Sequence, residues 1–328
     1  MSSLADRDIL SAIPSAALGP GNSVPSAVRR PRNPVRRYRA WADRRFFALA
    51  AFPAFIVVAA VAVVPILLGV WLSFTDYQPL TPSLSWAGFT NYEGIFSGPN
   101  ELFAHSAIIN TLIFVGGALV VETVFGVLLA VVLARPMRGI AVFRALFVIP
   151  LMVNGVASTV TWRSLFNTST GWINYFFKLV GLGQPNWLGN AHTAMPTIIF
   201  IDAWAGIPIV AIIVMSGMLL LPHEPMEAAR LDGASAVAVF RHIVLPGIRP
   251  VLVFAIMFRM IDLFRQFAEF QLVTGGGPGV ATTVLNFFVY QQTFVNGDIG
   301  FGAALAVLLV VMMVVPLLFL FRFARRVR

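Results

Sequence analysis

The stretch FFALAAFPAFIVVAAVAVVPILLGVWL, Phe46 to Leu72, runs for 27 residues without one charged side chain. A hydrocarbon core of roughly 30 Å is crossed by about 20 apolar residues in helical form, because lipid offers no partner to a free backbone N–H or C=O. Phe46 to Leu72 therefore reads as a membrane-spanning helix. Working outward, five more segments reach that length: Ser106 to Ala134, Val142 to Trp162, Met195 to Leu221, Val251 to Phe267 and Gly300 to Phe321. The Val251 to Phe267 segment is interrupted by Arg259, Asp262 and Arg265. A cleaved export signal would begin nearer the amino terminus and be shorter, so the first span is expected to be retained.

Composition points the same way. Of 328 residues, 58% are hydrophobic and 11% charged, with a mean hydropathy of +0.84; soluble domains carry about 25% charged residues. An ordinary soluble enzyme is excluded. The net charge of +9 does not indicate nucleic acid, because such a partner needs a solvated basic face and these charges fall between apolar runs. With no cysteine and four scattered histidines, neither disulfides, thiol nucleophiles nor a metal site are expected.

The placement of arginine predicts orientation, since short cytoplasmic loops collect it. Nine precede the first span, eight of them between Arg29 and Arg45. Arg135, Arg138 and Arg144 follow the second span, Arg230, Arg241 and Arg249 the fourth, and Arg322, Arg325, Arg326 and Arg328 the last. The stretches Thr75 to His105 and Ala268 to Ile299 have neither Lys nor Arg, and the connection after the third span has Lys178, with Arg163 at its edge. Both termini are expected to be cytoplasmic. Residues 1–45 read as a disordered basic tail, 46–322 as the membrane domain and 323–328 as a short basic tail. The Arg-rich tail is either an orientation signal alone or also a grip on anionic lipid.

The connection between the fourth and fifth spans, residues 222–250, reads PHEPMEAARLDGASAVAVFRHIVLPGIRP. Glu227, Ala228, Ala229 and Arg230 favour helix, Asp232 and Gly233 break it, and Ser235 can cap a second helix through Ile243. Val237, Phe240, Ile243 and Val244 share one face of that second helix. They pack either on the protein's own spans or on a partner.

The order E-A-A, three residues, G, nine residues, then I-x-L-P resembles the signature loop of ABC importer permeases. It is matched by Glu227, Ala228, Ala229, Gly233, Ile243, Leu245 and Pro246. Asn110-Thr111, Arg144 with Pro150, Trp204 with Gly206 and Pro208, and the run Thr274 to Gly279 are similar to the sugar-importing, maltose-type branch. The resemblance implies an all-α permease of the type I importer fold in a bacterial cytoplasmic membrane. It implies that the loop docks on a cytoplasmic ATPase, with Glu227 in polar contact, Asp232 and Gly233 forming the turn, and the face from Ala234 to Phe240 docked. The implied partners are a second permease, two copies of the ATPase, an external solute-binding protein and a small sugar-like solute, within membrane lipid. ATP and magnesium would sit on the ATPases, with no cofactor and no catalytic residue on this chain.

The glycine run Gly275 to Gly279 lacks the Lys and Ser or Thr of a phosphate-binding loop, since Val280 and Ala281 follow. It reads as a tight turn near an external gate. Charges inside a bilayer are costly, so Glu122, Asp202, Arg259, Asp262 and Arg265 are expected to face the interior or a wet cavity. Arg259 and Asp262, three apart, can pair, as a structural bridge or as part of a substrate path. By resemblance that path comprises Leu151 and Gly155, then Trp204, Ala205, Gly206 and Ile209, then Arg259, Leu263, Gln266 and Ala268. An arginine in the path would suit a polyol or an anionic sugar derivative. An importer of non-sugar solutes and an ion-coupled secondary transporter are the alternatives; the second needs no ATPase-docking loop. A membrane-embedded enzyme would cluster His, Asp or Glu at one depth, whereas the acidic residues here read as dispersed.

Overall fold

The computed structural model describes residues 34–79 and 84–326. Residues 1–33 of the basic tail read over 1–45 lie outside the described residues, as do Val327 and Arg328. Contacts among the described residues divide them at Val63, into a unit ending there and another beginning at Val64. About three quarters of the described residues are helical, with one isolated bridge between Thr75 and Trp86.

The first span lies within α1, Pro34–Leu72, which starts inside the segment read as tail. A short α2, Thr90–Ser97, precedes α3, Glu101–Leu133, and α7, Ala191–Leu219, is the fourth span. Asn190 starts α7 by accepting from the His192 N–H at 2.9 Å, which satisfies one of the orphan donors of a helix start. The last span lies in α12, Ile299–Arg326.

Two spans depart from the sequence reading. The third is two helices, α4, Ile140–Met152, and α5, Gly155–Leu165, bent by 94° at the break. Pro150 lacks the N–H that would continue the ladder, Val153 is extended, and the Asn154 side chain accepts from the Val156 N–H at 3.0 Å to begin a new helix. A proline and a strong cap thus override unbroken apolarity. The fifth span is longer than expected. After α8, Glu224–Leu231, the second helix of the connection does not stop at Ile243. It runs as α9, Ala236–Val239, through a π turn, Phe240–Val244, into α10, Leu245–Phe264. Pro246 falls just after that turn, where the regular ladder is already interrupted, so its missing N–H removes little.

The centre is α3 packed along α7, with α10 against both. Lipid supplies no hydrophobic drive between helices, so close approach decides the packing. Ala104, Ala107, Ala118 and Ala130 of α3 and Ala194 and Ala211 of α7 are fully buried. Phe114 of α3 meets Phe270, beyond α10, edge to face at 4.8 Å.

Candidate functional site

Charged side chains from three helices converge inside this bundle, so acidic residues that are dispersed along the sequence meet at one place because the helices cross there. Arg259 of α10 is 2% exposed. Its Nε donates to Glu122 Oε2 at 2.6 Å and its Nη2 to Glu122 Oε1 at 2.7 Å, across from α3. The same Nη2 donates to Asp202 Oδ2 of α7 at 2.8 Å, and Nη1 donates to Asp262. Gln266 Nε2 donates to Asp202 Oδ1 at 2.7 Å and to Glu269 Oε1 at 3.4 Å. The Asp262 side chain is 48% exposed; Glu122 and Asp202 are buried.

The expected Arg259–Asp262 pair is present. The larger part of the guanidinium, however, is taken by Glu122 and Asp202, which the sequence marked only as inward-facing. Their spacing along the chain gave no pairing, whereas i,i+3 spacing did. Glu269 is not among the charges expected to face inward; an acidic residue between apolar Phe267 and Phe270 is the available signal. Arg265, expected to face the interior or a wet cavity, is exposed in this chain.

Gly206 is where this cluster meets α7. A Cβ there would stand 2.2 Å from Glu122 Oε1 and 2.8 Å from Arg259 Nη2, so only glycine lets the carboxylate lie on the helix backbone. Of the other residues read into a substrate path, Trp204, Ala205, Ile209, Gln266 and Ala268 are half-buried, Leu263 is buried in the core, and Leu151 and Gly155 are exposed at the α4–α5 break. Trp204 lies edge to face with Trp162 of α5, 5.7 Å between rings. The structure thus groups Gly206, Arg259, Asp262 and Gln266 around one ionic cluster.

The connection after α7 forms the expected elbow. Gly233 has φ +83°, a conformation that costs a side-chain-bearing residue about 1–2 kcal/mol, and the Ala234 N–H closes the turn onto Ala229 O at 2.9 Å. Ser235 Oγ accepts from the Ala238 N–H at 3.3 Å. Glu227, Ala228, Asp232 and Gly233 are exposed, Ala229, Ala234, Leu245 and Pro246 partly covered. The apolar face divides: Val237 is 74% exposed, as is Leu231 of α8 at 89%, whereas Phe240 and Val244 pack against a buried cluster that includes Val210, Val214 and Ile248. Phe240, part of the face expected to dock, is half-buried on the protein's own spans.

The glycine run is a tight turn held by the Asn110-Thr111 pair noted in the sequence. Asn110 Nδ2 donates to the Val280 and Thr283 carbonyls at 2.8 and 3.1 Å, and Thr111 Oγ1 accepts from the Leu285 N–H at 2.8 Å. Arg144 Nη2 donates to Leu133 O, in the last turn of α3, at 2.7 Å.

The chain is 32% identical over 260 residues to the trehalose/maltose transport system permease protein MalF of Thermococcus litoralis, covering 79% of this chain and 87% of that one. It is 27% identical over 269 residues to the trehalose transport system permease protein SugA of Mycobacterium tuberculosis, covering 82% and 85%. In structure it resembles a chain of a bacterial ABC transporter involved in import of the acidic polysaccharide alginate, with TM-score 0.75, 21% identity and 88% and 99% coverage. A chain of the inward-facing MetNI methionine ABC transporter aligns at TM-score 0.51 and 20% identity, over 71% and 99%. These likenesses establish the type I importer permease fold, in a multi-pass membrane protein. Residues 123–328 match the family described as the binding-protein-dependent transport system inner membrane component, and with the elbow and bundle described above the chain belongs to that family.

Proposed function

We propose that this chain is one of two permease subunits lining the path of an ATP-driven sugar importer in a bacterial cytoplasmic membrane, with both termini inside. One observation carries the reading: the exposed elbow around Gly233 leads without a break into the helix that holds Arg259. A push on the elbow therefore reaches the polar centre of the bundle directly. Two cytoplasmic ATPases bind and hydrolyse ATP with magnesium and close on the elbow, Leu231 and Val237 supplying the apolar contact and Glu227 the polar one. An external binding protein delivers the solute. This chain performs no catalysis; transport follows from different affinities in two states.

The sugar relatives support a carbohydrate cargo. Arg259 is fully engaged by carboxylates, which removes the argument for an anionic derivative and favours a neutral sugar. Trp204, Ala205, Ile209, Asp262, Gln266 and Ala268 are its proposed contacts, with Leu151 and Gly155 at the α4–α5 bend. The indole face of Trp204 suits the C–H face of a pyranose. The test is uptake of labelled trehalose or maltose by cells carrying Glu227→Lys or Gly233→Asp. Uptake is expected to vanish while the protein still inserts in the membrane; normal uptake by both variants refutes docking through the elbow.

A further inference from the structure

The connection between α5 and α7 carries α6, Trp172–Leu179, and beneath it lies a second feature, apart from the ionic cluster. Ile173 and Phe177, one helical turn apart on α6, line a partly open cavity of about 580 Å³ together with Trp162, Phe166, Trp187 and Phe200. That volume is in the range of small-molecule sites, roughly 300–1,000 Å³. A ring-lined cavity in a sugar importer invites a sugar, but its polar groups argue otherwise. Thr193 Oγ1 donates to Trp187 O at 2.8 Å, Thr197 Oγ1 to Thr193 O at 2.8 Å, and Trp187 Nε1 to Asn174 Oδ1 at 2.7 Å. These three donors are committed to the protein; the His192 ring and the Trp162 indole also line the cavity. A sugar entering would find few partners for its many hydroxyls, at a cost of about 1–3 kcal/mol for each left unpaired. A hydrocarbon chain loses nothing.

The other face of α6 supplies the second observation. Trp172, Tyr175, Phe176 and Leu179 are 64%, 53%, 59% and 64% exposed, and Lys178, the chain's single lysine, is exposed beside them. The helix lies just ahead of the start of the α7 span, hence at one face of the membrane. Trp and Tyr favour the headgroup layer there, and a lysine on a flexible stem reaches phosphate.

We propose that the cavity between α5, α6 and α7 is a phospholipid site that takes one acyl chain, with Lys178 holding the anionic headgroup phosphate. The full-length chain in nanodiscs containing phosphatidylglycerol with a photoactivatable diazirine on its acyl chain provides the test, with phosphatidylcholine bearing the same group in parallel. Adducts read by peptide mass spectrometry are expected to concentrate within residues 162–200. Ile173→Trp, which fills the cavity, is expected to remove that concentration. Lys178→Gln, a surface change, is expected to lower the preference for the anionic lipid about fivefold. Adducts no denser there than on Phe52–Leu72 of α1 would overturn the proposal, as would labelling unaffected by Ile173→Trp or equal for the two headgroups. Suppression of labelling by trehalose or maltose would overturn it too, and would assign the cavity to sugar.

Discussion

Arg259 of α10 grips Glu122 of α3 through two parallel bonds, Nε to Oε2 at 2.6 Å and Nη2 to Oε1 at 2.7 Å, with side chains 3% and 0% exposed. The contact joins the helix that rises from the elbow to the helix packed along α7. Any displacement of α10 must either carry Glu122 with it or separate two charges in a medium where separation is expensive.

Removing the guanidinium therefore costs more than removing a surface charge. Arg259→Met is expected to lower stability by about 3–5 kcal/mol, because Glu122 and Asp202 stay buried without a counter-charge. Arg259→Lys keeps the charge but cannot make the two-pronged contact, and should fall between Met and the native residue. Thermal unfolding in detergent, followed by intrinsic fluorescence, checks the order.

Two glycines read into the same substrate path should behave oppositely. Gly206→Ala drives a methyl group against the Glu122 carboxylate and should destabilise by about 1–3 kcal/mol. Gly155→Ala meets nothing within 4 Å and should stay within about 0.5 kcal/mol of the native protein. Melting temperatures of the two variants, measured side by side, decide this.

The elbow separates folding from coupling. Phe240→Ala should lower the melting temperature, since that ring packs against the buried cluster that includes Ile248, at a cost of at most about 3 kcal/mol for a half-buried ring. Val237→Ser, at a position 74% exposed, should leave melting unchanged yet weaken co-purification with the ATPase. If Val237→Ser neither loosens that complex nor slows uptake, Val237 is not part of the docking surface.

Asn110 offers a test of the glycine turn. Asn110→Asp replaces a donating amide with an acceptor facing the Val280 and Thr283 carbonyls, and should cost about 1–3 kcal/mol. Asn110→Ala, which removes the donor without adding repulsion, should cost less. Protease sensitivity of the turn and melting temperature should rank the variants in that order.

Much of this was legible from residues alone. The elbow was read from Gly233 and Ser235, and both act as expected, because a positive φ and a helix cap depend on a few neighbouring atoms. The broken third span was missed although its parts, Pro150 and Asn154, were in plain view: apolar continuity was weighed above them. The division between Phe240 and Val237 was out of reach of periodicity, which says that a helix has an apolar face but not what covers each part of it.

Amino-acid order by itself determined that the chain crosses the membrane repeatedly as helices, and where its elbow bends. Both follow from local requirements: backbone groups must pair within their own segment in lipid, and turns need particular residues. Only the tertiary structure decided that Glu122 and Asp202, 137 and 57 positions from Arg259, converge on it, and that Gly206 makes room for them. Contacts across such distances depend on how three helices cross, and that is settled by the packing of all their side chains together.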